Sequence, residues 1–444
     1  MSVLSPSPLL VYGLGITNRA AARQLVRRGY DVILADDGDP AVGDAFGSQL
    51  GLSCLHPLPA ELGSVMAGIG SMLPTPGLKE SHPAMIEAER RGIAVFSEFD
   101  LAGEWDDRPI VAITGTNGKT TVVTMVRDML VASGIRAVDA GNTETPLVEA
   151  IEDPSVQVFV VEASSFRLGH SQRFTPSVAT WLNFAPDHLD IHRDLERYEL
   201  AKARIFEHQD AGGRAVANLD DPVVMRHAVG PAPVVTFGST PDADYHEHDS
   251  MLVRPDGSTV VAVGDLPRSL PHDRTNALAA AASAELAGAT HAGVADTLVN
   301  FSGLRHRVEL VGSRHDISWF DDSKATAPHA TTAAVRGFTS VVLIAGGRNK
   351  GLDLSVLADL DNVVAFVAIG EAAEEIQALT GRRPVVVASS MAEAVAAARQ
   401  LAKPGDVVLL SPACASFDWY ANYGERGDDF VTEVRSQILT GVAS

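Results

Sequence analysis

The stretch "AITGTNGKTT" (residues 112–121) runs from the end of a buried strand into a glycine turn, a lysine and two threonines. The segment after it, "TVVTMVRDMLVASG" (121–134), carries apolar residues at helical spacing and stops at Gly134. A strand, a glycine turn and a helix N-terminus together present free backbone N–H groups and a positive dipole end to an anion. Gly115, Thr116, Asn117 and Gly118 would form the cradle, Lys119 would reach the outer phosphates of a nucleoside triphosphate, and Thr120, followed by Thr121, would offer its hydroxyl to Mg²⁺. Gly115 stands three residues before Gly118 instead of the usual five, so this is a variant phosphate loop; the bland alternative is a structural turn.

Upstream, "LLVYGLG" (9–15), "NRAAARQLVRRG" (18–29) and "YDVILADD" (30–37) read as strand, glycine turn, helix and strand, a βαβ unit of Rossmann type. Gly13 and Gly15 are present, but Asn18 occupies the third glycine position, so the pattern is weak evidence for a dinucleotide. The polar "AGEWDDRP" (102–109) ends in proline just before "IVAITG", which places a domain boundary there. Downstream, "VQVFVVEAS" (156–164), "VATWLNFAP" (178–186) and "GRAVANLDD" (213–221) are strands that end in polar residues, where open α/β sheets bind ligands. "NALAAAASAELAG" (276–288) predicts a helix ending at glycine. After "FSGLRHRVEL" (301–310) a third α/β unit begins, with strands at "SVVLIAGG" (340–347), "VVAFVAIG" (363–370), "PVVVASS" (384–390) and "DVVLLSP" (406–412).

The totals agree with a multidomain α/β protein: 444 residues, 46% hydrophobic and 20% charged, are too many for one core. A net charge of −21 argues against nucleic acid or an anionic membrane as partner, so anionic ligands require locally concentrated cations. No apolar run is long enough to span a membrane, the N-terminus shows no export signal, and Cys54 and Cys414 have no metal-type spacing; a reducing cytoplasm is expected.

Further candidates lie at predicted strand ends. Glu162 in "VVEASS" reads as a solvated rim residue or an oxygen ligand; "NFAPDHLDIH" (183–192) offers Asp187, His188, Asp190 and His192 as ligands or as a solvated loop. "RHR" (305–307) is a solvated linker or supplies an arginine to the triphosphate when domains close. In "DDSKATAPHAT" (321–331), Asp322, Lys324 and Thr326 alternate and would share one face of an extended segment. "GGRNKG" (346–351) is a β-turn with a solvated lysine or a second loop presenting Lys350.

Taken in order, "GLGIT" (13–17), "ITGTNGKTT" (113–121), "GNTETPL" (141–147), "VEASSFRL" (161–168), "LNFAPDHLD" (182–190), "YELAKARIF" (198–206), "TNALAAAA" (275–282), "FSGLRHRVE" (301–309), "DDSKAT" (321–326), "AGGRNKG" (345–351) and "LSPACASFDWYANYGERGDDF" (410–430) resemble the Mur ligases over nearly the whole chain. These are ATP-dependent amide-forming enzymes of peptidoglycan assembly; "DDSKAT" and "SPACASFD" are closest to the glutamate-adding branch. The resemblance implies three domains: an N-terminal Rossmann-like UDP-substrate domain (1–105), a central P-loop ATPase α/β domain (106–302) and a C-terminal Rossmann-like domain (303–444) that binds glutamate. It implies ATP-driven addition of D-glutamate to UDP-N-acetylmuramoyl-L-alanine through an acyl phosphate, with Mg²⁺, by a cytoplasmic monomer. Same-fold alternatives are a ligase adding L-glutamate to that substrate, a folylpolyglutamate synthase-like enzyme, or a P-loop binding protein without activity.

Carried over by resemblance, Lys119, His188 and Lys202 are catalytic, and Thr120, Glu162, His188 and Lys202 hold Mg²⁺, Lys202 as a carbamate; by residue type alone Lys202 reads as a surface helix lysine. Asn276 matches an adenine contact, Asp322 a ribose contact, and Arg307 and Lys324 phosphate-side residues. Ile16, Thr17 and Asp36 match the uridine end, Asn142 the alanyl end, and Thr326, Lys350, Ser416 and Tyr423 the glutamate pocket. The chain departs from the family pattern at Asp37 and Gly38, where a Thr-Arg pair serves the uracil, and at Ala163, Arg167 and Ala327. Arg167 adds a charge near the active face to which no role is assigned.

Overall fold

The computed structural model describes residues 8–439, and three sheets organise them. The first contains β1 (Leu9–Tyr12), β2 (Val32–Ala35), β3 (Cys54–Leu55), β4 (Ser71–Pro74) and β5 (Ala94–Val95), all parallel, in the order β3-β2-β1-β4-β5. The order reverses between β1 and β4, and the crevice at their C-terminal ends is where such sheets receive ligands. There Gly13 turns with φ +80°, and a Cβ on it would come within 2.7 Å of the Thr75 side chain. Asn18, where a third glycine was sought, is fully buried and donates its amide to the carbonyls of Tyr12, Gly13 and Leu73, pinning β1 to β4.

The second sheet holds β6 (Ile110–Thr114), β7 (Ala137–Gly141), β8 (Val158–Glu162), β9 (Val178–Trp181), β10 (Arg214–Asn218), β11 (Val234–Gly238), β12 (Tyr245–His248), β13 (Met251–Val253) and β14 (Thr259–Ala262). Its order is β14-β13-β12-β11-β10-β9-β6-β8-β7, parallel except for the β12–β13–β14 meander. β6 is buried along its whole length, as its apolar run requires of a central parallel strand. The helix Lys119–Ala132 follows it, burying Val122, Val123, Val126, Met129 and Leu130, and Gly134 in the left-handed region ends it. The helix expected from residue 276 begins earlier, at Pro271, and ends at Leu286.

The third sheet comprises β15 (Glu309–Arg314), β16 (Ile317–Asp321), β17 (Val341–Gly346), β18 (Val363–Ile369), β19 (Val385–Ala388) and β20 (Val407–Ala413), in the order β15-β16-β20-β17-β18-β19. Only β15 runs antiparallel to its neighbour.

The chain divides into two compact units. One comprises residues up to Pro267 together with Arg274–Phe301 and holds the first two sheets; the other comprises Arg268–Asp273 and the chain from Ser302, with the third sheet. Within the first unit a single apolar cluster runs from Leu9, Val11 and Leu34 through Phe96 and Phe99 to Phe159, Val161 and Trp181, so the first two sheets share a core. In the second unit, clusters cover both faces of the third sheet.

Candidate active site

The variant phosphate loop leaves the C-terminal end of β6, an interior strand third from the β7 edge of its sheet. Gly118 sits at φ +83°, and a Cβ there would fall 2.6 Å from Asn276 Oδ1; this brings the expected adenine contact against the loop. The Lys119 ammonium donates to the carbonyls of Gly115 (2.8 Å) and Thr116 (3.0 Å). Thr116 is buried, its hydroxyl accepting from the Ala185 N–H and meeting the Tyr198 hydroxyl at 3.2 Å. Asn117 exchanges two bonds with the Asn183 side chain, so the loop after β9 braces the loop after β6.

Glu162, at the end of β8, is buried instead of lying on a solvated rim. One carboxylate oxygen accepts from the Thr120 hydroxyl at 2.7 Å, the other from the Asn142 amide at 2.8 Å. Lys202 is likewise not a surface lysine. It is 1% exposed on the helix Leu195–Glu207, donates to the Gly115 carbonyl at 2.7 Å and lies 4.8 Å over the Tyr198 ring. Burial, and then the neighbouring Lys119 charge, pull its pKa well below the ordinary lysine value.

His188 adopts φ +56° and packs edge-on against Phe166 at 4.8 Å, half-exposed. Asp187 is buried beside it, and Asp190 is exposed. His192 is instead enclosed, with Nδ1 2.8 Å from Glu80 and Nε2 3.0 Å from the Ser165 hydroxyl. This serine–histidine–carboxylate string anchors the loop after β9; Ser165 is only 2% exposed.

At the expected uridine end, Ile16 is 74% exposed while Thr17 is buried. Asp36 accepts from the N–H groups of Leu14 and Gly38. Asp37, one of the departures, meets His82 at 2.9 Å. Arg167 holds most of the remainder together. It is 6% exposed, and its three nitrogens reach Glu98 (3.0 Å), Asn142 Oδ1 (2.8 Å) and the Thr17 hydroxyl (2.8 Å). Glu98, which the structure places in the first turn of a helix capped by Ser97, was not singled out in the sequence.

In the second unit β16, β20 and β17 are adjacent and parallel, and the loops leaving their C-terminal ends carry the remaining candidates. The segment after β16 is a turn instead of the extended segment expected. Ala325 N–H bonds to Asp322 O and Thr326 N–H to Lys324 O, so the alternation of Asp322, Lys324 and Thr326 does not give a common face. Asp322 turns inward, 7% exposed, accepting from the Ser411 hydroxyl (2.7 Å) and the Val308 N–H (3.3 Å); burial lifts its pKa to about 7. Lys324 lies 4.1 Å over the Tyr423 ring. Arg307 is half-buried, and its carbonyl accepts from Arg268. His306, next to it, is buried against Asp321 at 2.6 Å, which raises its pKa.

Lys350 is half-buried in the loop after β17, and Ser416, 2% exposed, follows β20. Arg426 was not foreseen, although it lies in the quoted "GERGDDF". It is 1% exposed and donates to the Ser323 hydroxyl and carbonyl and to the Cys414 carbonyl, joining the turn after β16 to the loop after β20.

A phosphate loop at the C-terminal end of an interior parallel strand, with two lysines and hard oxygen ligands beside it, is the arrangement of an enzyme that uses a nucleoside triphosphate. Comparison with known proteins specifies the class. Residues 113–284 match the Mur ligase middle domain and residues 306–414 the glutamate ligase domain of Mur ligases. A UDP-N-acetylmuramoylalanine–D-glutamate ligase from Desulfosudis oleivorans is 39% identical over 96% of this chain and 96% of its own length. One of the same name from Frankia casuarinae is 40% identical over 97% and 94%. The solved structure of a pseudomurein peptide ligase type C from Methanothermus fervidus shares the fold, with a TM-score of 0.61 at 17% identity over 96% of this chain and 99% of that one. The chain belongs to the Mur ligase family of ATP-dependent ligases. Among the described residues no helix is long and apolar enough to cross a membrane.

Proposed function

We propose that this chain joins D-glutamate to the L-alanyl carboxylate of UDP-N-acetylmuramoyl-L-alanine at the expense of ATP, as a cytoplasmic monomer in peptidoglycan precursor synthesis. The observation that carries the reading is that relatives of that printed name match it at 36–40% identity over nearly their whole length. Three functional divisions follow, 1–105 for the UDP-substrate, 106–302 for ATP and 303–444 for glutamate.

A carboxylate is a poor electrophile, and transfer of the γ-phosphoryl group to it creates a leaving group. The glutamate amine then attacks the acyl phosphate, and the tetrahedral adduct collapses to amide and inorganic phosphate. The protein's task is to position three anions and to neutralise their charge. Lys119 and the N–H groups of residues 115–121 would hold the phosphates, with Asn276, Asp322, Arg307 and Lys324 around the nucleotide. Ile16, Thr17, Asp36 and Asn142 would hold the UDP-substrate, and Thr326, Lys350, Ser416 and Tyr423 the glutamate carboxylates.

The donor set fits Mg²⁺: the Thr120 hydroxyl and the Glu162 carboxylate meet at 2.7 Å, and hard oxygens are what this ion selects. Thr120, Glu162, His188 and a carbamylated Lys202 would hold it, and bound there it would draw charge from the transferring phosphoryl group. Lys119 and Lys202 direct two amine nitrogens at the single Gly115 carbonyl, where a proton on both would set like charges against each other. A carbamate on Lys202 turns that repulsion into attraction, and the buried, depressed amine is the neutral nucleophile that reacts with CO₂.

Phosphate release from ATP, Mg²⁺ and UDP-N-acetylmuramoyl-L-alanine tests the reading with D-glutamate, L-glutamate or no amino acid. Release with D-glutamate alone, with an amide product of matching mass, is the expected result. Release with L-glutamate alone would move the enzyme to the other enantiomer. No release from protein that still binds ATP would overturn the acyl substrate.

A further inference from the structure

Arg167 sits in the middle of a continuous line of side-chain hydrogen bonds. The Thr17 hydroxyl accepts from Arg167 Nη2 at 2.8 Å, and Arg167 Nη1 donates to Asn142 Oδ1 at 2.8 Å. Asn142 Nδ2 donates to Glu162 at 2.8 Å, and the other Glu162 oxygen accepts from Thr120 at 2.7 Å. The line therefore begins in the first turn of the helix Ile16–Arg27 that follows β1, crosses the ends of β7 and β8, and finishes on the first turn of the phosphate-loop helix, all within one compact unit.

We propose that Arg167 is the positioning residue of the UDP-substrate site: its guanidinium orients Thr17 and Asn142 together and links them, through Glu162, to the phosphate loop. The inference rests on the reading of Thr17 and Asn142 as substrate residues. Glu162, an acceptor, and Arg167, a pure donor, demand the same orientation of the carboxamide between them: its NH₂ group faces the carboxylate and its oxygen faces the guanidinium, so the two contacts together fix the Asn142 side chain. The guanidinium is the side chain suited to this, because its donors form a rigid fork that satisfies three directions at once.

The third direction holds the fork still. Arg167 Nε donates to Glu98, whose side chain is wholly buried and whose second oxygen accepts from the Val148 N–H at 3.1 Å. Burial pushes the Glu98 pKa up and the arginine pulls it back, so the two groups neutralise each other inside the protein. A purely structural pair would need only this contact. The two remaining arms are spent on Thr17 and Asn142, the residues read as substrate contacts.

Since the same line reaches Thr120, UDP-substrate and ATP should bind with a mutual preference that Arg167 transmits, and the coupling should be reciprocal. The test compares wild type with Arg167→Gln, Arg167→Lys and the double variant Glu98→Gln/Arg167→Gln. Each is assayed for turnover, for KM of each substrate, and for UDP-N-acetylmuramoyl-L-alanine binding by calorimetry with and without a non-hydrolysable ATP analogue. Arg167→Lys keeps the charge beside Glu98 and so retains the fold, while its single amine cannot reach three partners. The double variant removes both charges without orphaning either.

Loss of two hydrogen bonds predicts a rise of about tenfold in the UDP-substrate KM and Kd for all three variants, with the glutamate KM unchanged. The effect of the ATP analogue on UDP-substrate affinity should disappear. A double variant with wild-type KM and intact coupling would reduce Arg167 to the counter-ion of Glu98 and overturn the inference alone. Wild-type protein that neither binds nor turns over the UDP-substrate would overturn the functional reading and this inference with it.

Discussion

A lysine amine that is 1% exposed and shares its acceptor with a second lysine is an unusual feature for a protein to keep. Burial of a lone ammonium is costly, and the group responds by losing its proton. If the neutral amine of Lys202 is then converted to a carbamate, Lys202→Ala should lower turnover about 10²–10³-fold, as loss of one preorganised charge does in other active sites. Acetate or formate should restore part of it by occupying the vacated space; unimpaired turnover of the alanine variant would remove Lys202 from the mechanism. Asp322 makes a second prediction. Its folded pKa of about 7 lies above the ordinary carboxylate value near 4, so between those values the folded state keeps a proton that the unfolded chain has released. Stability should therefore fall as pH rises from about 4 to about 7, by at most roughly 1.4 kcal/mol per pH unit from this group, and level off above. Denaturant titrations of Asp322→Asn should show that slope reduced; an unchanged slope would assign it to other groups.

Elements explain which of these features were legible. β6, β8, β17, β18 and β20 announce themselves as apolar runs, interrupted only by Thr114, Glu162 and Ser411 toward the C-terminal ends of β6, β8 and β20, since a parallel strand covered on both faces needs apolar residues along most of its length. β3 and β5 are two residues long, too short for any period to register, and the "YHEH" of β12 is polar because it lies toward the end of its sheet. The phosphate loop was readable because its chemistry is contiguous. The Arg167 network was not, because its partners lie 69, 25 and 150 residues away. Lys202 was misread by type because helical position alone does not say which face a loop will cover. Asn18 was seen only as a missing glycine, yet it ties the end of β1 to β4 through three carbonyls. Asn18→Ala leaves those acceptors buried and should destabilise the first unit by about 1–3 kcal/mol, measurable as a lower denaturant midpoint. A variant as stable as wild type would show that water replaces the amide.

At the scale of the whole molecule, the distribution of apolar cores decides how the chain should melt. The first two sheets draw on one continuous cluster, from Leu9 and Leu34 to Phe159 and Trp181, so neither can lose its packing without exposing the other. The third sheet is enclosed by its own clusters, with Val341, Leu343 and Phe366 on one face and Trp319, Val342 and Phe430 on the other. Cooperativity follows shared burial, so the first two sheets should unfold as one transition and the third sheet as another. The ligands assign them. A non-hydrolysable ATP analogue at about a hundred times its Kd adds roughly 2.7 kcal/mol to whatever holds the phosphate loop. The corresponding transition should rise by several degrees and carry the fluorescence change of Trp181, which is buried in the first core. Replacing Trp181 by phenylalanine marks that transition by a weakened signal, to which Trp105 at the edge of the same core still contributes, while buried Trp319 continues to report the other. Three separate transitions would mean that the cluster joining the first two sheets contributes little cohesion. A single transition already in the ligand-free protein would mean that the two units stabilise each other more strongly than their separate cores require.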